Sequence, residues 1–162
     1  MSVLEDLLRA VAASDAAVML RLSRLLYPLV SAAHILGIGV LVGSILTLDA
    51  RILGFGRSLP LAAAARLLLP FAVGGFFVAV VAGVGLFIVQ PLEYVANPAF
   101  PIKMGLIVLA LANVAALRIG PGWRAAVAGG GEVSAGVRLG AVVSALLWVS
   151  VLVAGRLIGF LG

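Results

Sequence analysis

Four long apolar segments with short connectors between them constrain the fold of this chain more than any other feature. They cover residues 22–46, 66–90, 101–119 and 137–160. A helix of about 20 apolar residues spans the roughly 30 Å hydrocarbon layer of a bilayer. Because lipid offers no partner to an exposed backbone amide, each segment has to cross as a helix. The sequence therefore predicts an all-α integral membrane four-helix bundle.

The composition agrees with a chain that is dissolved in lipid. Of its 162 residues, 64% are hydrophobic and only 10% are charged, against roughly half and a quarter in soluble domains. No connector is long enough for a second domain, so we expect one membrane domain over residues 1–162 with the lipid bilayer as its first partner. The chain has no cysteine, which excludes disulfides and thiolate metal sites. Its net charge of +5 comes from dispersed arginines, a pattern that does not indicate nucleic-acid binding.

A short amphipathic helix is predicted before the first span, over residues 2–13. Ser2 is its candidate N-cap, and apolar residues recur at helical spacing at Val3, Leu4, Leu7, Leu8 and Val11. We expect this helix to lie on the membrane interface.

The basic residues give a weak indication of orientation. Six belong to the first and third connectors and their helix ends: Arg51, Arg57, Arg66, Arg118, Arg124 and Arg138. Five belong to the other side: Arg9, Arg21, Arg24, Lys103 and Arg156. The positive-inside rule then favours external termini.

Small residues recur at four-residue spacing, which is common where membrane helices approach each other closely. They are Gly39 and Gly43 in the first span, Gly75, Ala79 and Gly83 in the second, and Gly140 and Ser144 in the fourth. The pattern predicts a tight bundle.

His34, the only histidine, is the main candidate for function. It lies about halfway along the first predicted span, near the membrane midplane, where an unpaired polar group costs several kcal/mol. One ring nitrogen of an imidazole can bind a heme iron, a copper ion or a quinone headgroup while the other is held by an acceptor. Ser31, one turn earlier, or a backbone carbonyl could be that acceptor. The alternative is a neutral histidine that bonds across helices, for instance to Asn113.

Other polar residues are predicted to surround this histidine. Asn113 and Trp148 would line the interior, whereas Asn97, Lys103 and Arg156 would shape a mouth on the side of the termini. Arg156 could instead pair with Glu93. Asp49 and Arg51 are interpreted as marking the end of the first span.

A lone histidine restricts the cofactor. A heme b with two histidine ligands would need a second chain. Within one chain, the heme iron would need a methionine as its second ligand or would stay five-coordinate. Copper sites of transporters usually combine several histidine, methionine or cysteine ligands, so copper is the weaker choice beside heme b or a quinone.

Several segments together resemble an uncharacterised family of small bacterial four-helix membrane proteins, known only as a domain of unknown function. They are YPLVSAAHILGIGVLVGSILTLDARILG, LLPFAVGGFFVAVVAGVGLF, NPAFPIKMGLIVLALANVAAL and SALLWVSVLVAGRLIG. In that family a first-span histidine precedes an Asp-Leu-Arg-type end, matched by His34 and Asp49-Ala50-Arg51. Family members often carry a second histidine after the third-span asparagine, where this chain has Arg118. The membrane domains of copper-resistance protein D and of b-type cytochromes are more loosely similar.

The resemblance implies a multi-pass protein of the bacterial inner membrane but no established activity. No nucleophile–histidine–acid set, phosphate loop or HExxH pair is present, so a conventional enzyme is not predicted. The leading hypothesis is a protein that binds heme b or a quinone beside His34, as a homo-oligomer or as a small electron-transfer subunit of a larger membrane complex. The alternatives are a structural or assembly subunit without any cofactor, and a small oligomeric transporter or channel.

Overall fold

The computed structural model describes residues 3–128 and 133–160, which are helical apart from short connections. These residues form eight helices: α1 Val3–Ala12, α2 Asp15–Leu22, α3 Leu26–Leu53, α4 Leu61–Val89, α5 Pro91–Ala96, α6 Ala99–Ile119, α7 Pro121–Val127 and α8 Ala135–Ile158. Four of them, α3, α4, α6 and α8, are long and apolar enough to cross a membrane. The predicted all-α four-helix membrane bundle is confirmed.

Local chemistry explains most of the helix ends. Ser14 and Ser134 accept hydrogen bonds from the backbone amides of Ala17 and Val137, so they cap α2 and α8. Gly54 ends α3 with φ of 110°, a left-handed conformation that glycine adopts without strain. Helix α1 occupies most of the predicted interfacial segment, and its proposed cap, Ser2, lies outside the described residues.

The short helices lie at the two ends of the bundle. Helices α1, α2 and α5 contact one another and the long helices at the same end of the bundle. We call this end, where α1 begins the described chain, the terminal side. The first connector and α7 lie at the opposite end, the connector side. On the terminal side, Arg21 donates to the carbonyl oxygen of Val89 at 2.6 Å, which ties α2 to the last turn of α4.

The four long helices are not equivalent in their contacts. Helix α3 lies between α4 and α8, its contact with α4 being the most extensive, and α8 also contacts α6. One buried cluster joins α3, α4 and α8 towards the connector side, around Leu48 and Ala64. A second joins all four helices around Trp148 and Ala110. Helix α8 therefore lies at the centre of the bundle together with α3.

Many large apolar side chains face outwards, and small residues make up much of the core. Phe77 on α4 is 68% exposed and Leu146 on α8 is 65% exposed, whereas Ala110 and Ala141 are completely buried. A soluble protein does not expose such large apolar areas on every helix. The arrangement fits helices that contact lipid outside and approach one another through small residues inside.

Candidate functional site

His34 is held by the backbone of the neighbouring helix. Its Nδ1 lies 2.7 Å from the carbonyl oxygen of Ala79 on α4. A carbonyl can only accept, so Nδ1 carries the hydrogen and Nε2 of a neutral ring is left as an acceptor. Of the acceptors that the sequence suggested, the backbone carbonyl holds the ring, and neither Ser31 nor Asn113 does.

The ring of His34 lies against a glycine of α4. A β-carbon added to Gly83 would lie 2.9 Å from Cε1 of the imidazole, closer than carbon atoms pack without displacement. Gly83 therefore provides the space for the ring, one turn after the carbonyl that holds it. His34 lies eight residues from the start of α3 and nineteen from its end, nearer the terminal side than the midplane position predicted from residues 22–46.

Lys103 lies on the same side of the bundle and is close enough for its charge to act on His34. Its side chain extends over α8, where a β-carbon on Gly155 would lie 3.4 Å from Nζ. No carboxylate within the described part of the chain forms an ion pair with this ammonium group. Lys103 is thus a partly buried cation that lies against Gly155 of α8 and near enough to His34 for its charge to act on the ring.

An aromatic cluster closes the terminal side of this region. Phe87 on α4 stacks on Phe100 on α6, with ring centroids 5.6 Å apart, and Tyr94 on α5 contacts both rings. Burial, and then the nearby Tyr27 and Glu93, raise the pKa of Tyr94. Phe87 lies one turn beyond Gly83, so the cluster begins next to the imidazole.

Two residues predicted for the mouth of the site have other roles. Asn97 is buried, its Nδ2 donates to the carbonyl oxygen of Ile158 at 3.0 Å, and its Oδ1 accepts from the amide of Ala99 at 3.0 Å. This side chain joins the start of α6 to the end of α8. Arg156 is exposed and its guanidinium lies 4.8 Å from the ring centroid of Phe160. The pairing of Arg156 with Glu93 was a wrong interpretation, since Glu93 accepts from Gln90 instead.

The two residues predicted for the interior lie away from His34. Asn113 donates to the carbonyl oxygen of Gly140 at 3.0 Å, which ties α6 to α8. It also lines a groove of about 420 Å³ on the connector side, with Trp123 and Ser134 among the other walls. Trp148 is 2% exposed and lies in the core shared by all four long helices.

Asp49 is the polar residue whose position the sequence interpretation missed. It lies inside α3, which continues to Leu53, and is 5% exposed. The hydroxyl group of Ser144 on α8 hydrogen-bonds to its carboxyl group. Hydropathy places this aspartate near the end of an apolar run, but only the contact between α3 and α8 buries it.

Similarly, Gly83 could not be recognised from the sequence as the space for His34. Its four-residue spacing predicted a contact between helices, whereas the structure places the imidazole ring against it. Across residues 3–128 and 133–160, no group of three or more histidine, cysteine or acidic side chains is placed to hold a metal ion.

Comparisons with known proteins give no relative: no protein-family model, curated protein or solved structure matches this chain. The structure is that of a multi-pass membrane protein with a polar region around His34 and Lys103.

Proposed function

We propose that this membrane protein binds a quinone headgroup beside His34: Nε2 of the imidazole accepts from a hydroxyl group of the reduced quinol, and Lys103 donates to a headgroup oxygen, which is a carbonyl in the quinone and a hydroxyl in the quinol. The observation that carries the proposal is the hydrogen bond from Nδ1 of His34 to the carbonyl oxygen of Ala79. This hydrogen bond orients the ring and leaves Nε2 available. Histidines that bind a ligand through one ring nitrogen are commonly held in the same way, by a hydrogen bond from the other nitrogen to an acceptor.

Three further features support a flat, lipophilic ligand. Lys103 brings donors to the same region without an ion-pair partner in the described structure. The rings of Phe87, Tyr94 and Phe100 supply aromatic surface one turn away. The exposed apolar faces of the long helices would let a ligand with an isoprenoid tail enter from lipid. A role as a small electron-transfer subunit, alone or within a larger complex, is the wider function we propose for such a site.

The test uses two substitutions of His34 that distinguish the contribution of Nδ1 from that of Nε2. In His34→Asn the shorter amide retains a donor near the position of Nδ1 but has no group at Nε2, whereas His34→Ala removes both. Ubiquinone-type and menaquinone-type analogues, kept in the reduced quinol form, would be titrated into the purified protein in lipid nanodiscs, and extracted lipids analysed by mass spectrometry. We expect both variants, and Lys103→Met, to bind about 10-fold or more weakly, which corresponds to about 1.4 kcal/mol. Ser150→Ala, an exposed change on α8, is the matched control.

An absorption spectrum of the same preparation tests heme b. If a Soret band is present in the wild type and lost in His34→Asn, the ligand is heme b with His34 as an axial ligand, and not a quinone. The proposal would be overturned if both His34 variants bound quinone as tightly as the wild type and had the same absorption spectrum.

The second candidate is a structural or assembly subunit without a cofactor, and the same hydrogen bond favours it because it joins α3 to α4. Here His34→Ala lowers the stability of the bundle and His34→Asn preserves it, with no ligand lost in either. Both functions predict this pattern of stability, so the titration of the quinol analogues into the three proteins, and not their thermal unfolding, separates the two functions.

A further inference from the structure

Two polar atoms in the interior of the bundle have no hydrogen-bond partner among the described residues. They are Oδ2 of Asp49 and Nε1 of Trp148. Their side chains are 5% and 2% exposed. Buried polar atoms in folded proteins nearly always find a partner, so two such atoms on facing helices indicate a site with its own chemistry.

The contact between α3 and α8 brings Asp49 to Ser144, and Trp148 follows Ser144 on α8. Ser144 hydrogen-bonds to the carboxyl group of Asp49, and Trp148 lies one turn after Ser144 on the same face of α8. Helical side chains lean towards the N-terminus of their helix, which directs the indole of Trp148 towards Ser144. Both α8 residues are buried in the core of the bundle.

No cation of residues 3–128 and 133–160 neutralises the aspartate. Arg51 on the same helix donates to the carbonyl oxygen of Leu59. The neighbouring helices carry Arg66 on α4, Arg118 on α6 and Arg138 on α8, and Arg124 on α7 donates to the carbonyl oxygen of Ile119. Within the described ranges none of these forms an ion pair with Asp49. An ionised carboxylate without a cation in an apolar interior costs several kcal/mol, and a neutral acid avoids that cost.

We propose that Asp49, Ser144 and Trp148 form an internal proton-binding site in which the carboxyl group of Asp49 carries the proton. The site lies four residues from the connector-side end of α3, about 6 Å along the helix axis. Protons therefore exchange with the solution on the connector side. Asp49 is fifteen residues from His34, about 22 Å along α3, so this site is separate from the proposed quinone site and stands without it.

Infrared spectroscopy of the protein in lipid nanodiscs tests the proposal. A protonated carboxylic acid has a C=O stretching band that a carboxylate lacks and that shifts in D₂O. We expect this band at neutral pH in the wild type and its complete loss in Asp49→Asn. Glu93→Gln, which removes an exposed carboxylate, is the control and should leave the band unchanged.

Ser144→Ala provides a second readout if Asp49→Asn fails to fold. Loss of the hydroxyl removes a hydrogen bond to Asp49, so the band should move without disappearing. The proposal is overturned if the wild type has no protonated-acid band at neutral pH, or if the band is unaffected by both substitutions.

Trp148 is tested in a Trp123→Phe background, in which its fluorescence should change on alkaline titration of Asp49 and remain constant once Asp49→Asn is added. A constant signal in both proteins removes Trp148 from the site.

Discussion

Asn97 shows how a single polar side chain can join two helices of a membrane bundle. Both ends of its amide are used by the backbone, at Ile158 and at Ala99. Its position beside Lys103 in the sequence favoured a role in a binding site. The structure gives it the role of joining α6 to α8, because the loop before α6 brings it under the last turn of α8.

We expect Asn97→Ala to destabilise the protein by about 1–3 kcal/mol, because it leaves the buried partners of the amide unsatisfied. Quinone affinity should stay within about twofold of the wild type. Thermal unfolding in detergent, followed by circular dichroism, measures the first effect, with the exposed Gln90→Ala as control. A large loss of affinity at unchanged stability would place Asn97 in the binding site after all.

Tyr94 gives the terminal side a dependence on alkaline pH. Burial is the largest cause of its raised pKa, followed by Tyr27 and Glu93. In an unfolded chain the phenol titrates near pH 10. The neutral phenol therefore stabilises the fold fully below about pH 10, and this contribution is lost as the pH rises through the higher pKa of the folded state.

In the Tyr27→Phe variant Tyr94 is the only tyrosine left, since the chain has two. Its phenolate absorbance should appear above the pH range of a free tyrosine, because burial remains. Tyr94→Phe should lose stability less steeply than the wild type above pH 10. A midpoint near 10 in the folded protein would contradict this explanation.

At the scale of the helices, the contact between α3 and α4 depends on one pair of glycines. A β-carbon on Gly37 would lie 2.6 Å from the backbone nitrogen of Ala79, and one on Gly75 would lie 2.6 Å from that of Leu41. Of the small residues predicted for helix contacts, Gly75 and Ala79 are in the interface. Gly39 and Gly43 face open space, with nothing within 4 Å of an added β-carbon. Gly37, which the four-residue spacing did not select, takes their place.

Gly37→Ala and Gly39→Ala therefore form a matched pair on one helix. We expect Gly37→Ala to cost about 1–3 kcal/mol or more, since the backbone of α4 would have to move away. Gly39→Ala should be neutral or slightly stabilising, because alanine favours a helix by up to about 1 kcal/mol over glycine. Equal stabilities of the two variants, measured by thermal unfolding in the same detergent, would show that α3 and α4 are not in backbone contact there.

At the scale of the whole molecule, each long helix exposes large apolar side chains to the surroundings, as helices in lipid do. One span, α3, separates the N-terminal helices from the first connector, which therefore lies on the opposite side. The orientation in the membrane, with the connector side cytoplasmic, stays a prediction from six basic residues against five. Assembly into a homo-oligomer or a larger complex likewise stays a prediction.

The absence of natural cysteine makes the orientation directly testable. Single cysteines at Ser58→Cys, in the first connector, and Ala13→Cys, between α1 and α2, would be exposed to an impermeant maleimide. We expect Ser58→Cys to react in inside-out vesicles and Ala13→Cys in right-side-out vesicles. The reverse result would invert the orientation, whereas reaction of both in one preparation would contradict the four-span topology.

The sequence by itself determined the class of fold and the approximate position of the four membrane helices. Hydropathy is a local property, and lipid leaves the backbone no alternative to a helix. It also indicated His34, because a lone imidazole in an apolar run is costly wherever it faces. Asn97, Asn113 and Arg156 were grouped with it only because they too are polar and close to spans.

Only the tertiary structure decided which polar groups meet. The partner of His34, the space that Gly83 provides, and the burial of Asp49 against Ser144 all depend on how each helix is rotated about its axis and which helix lies next to it. A uniformly apolar segment has no polar face to fix that rotation in advance. The contacts of small residues between α3, α4 and α8 fix it, and with it the two polar sites of the molecule.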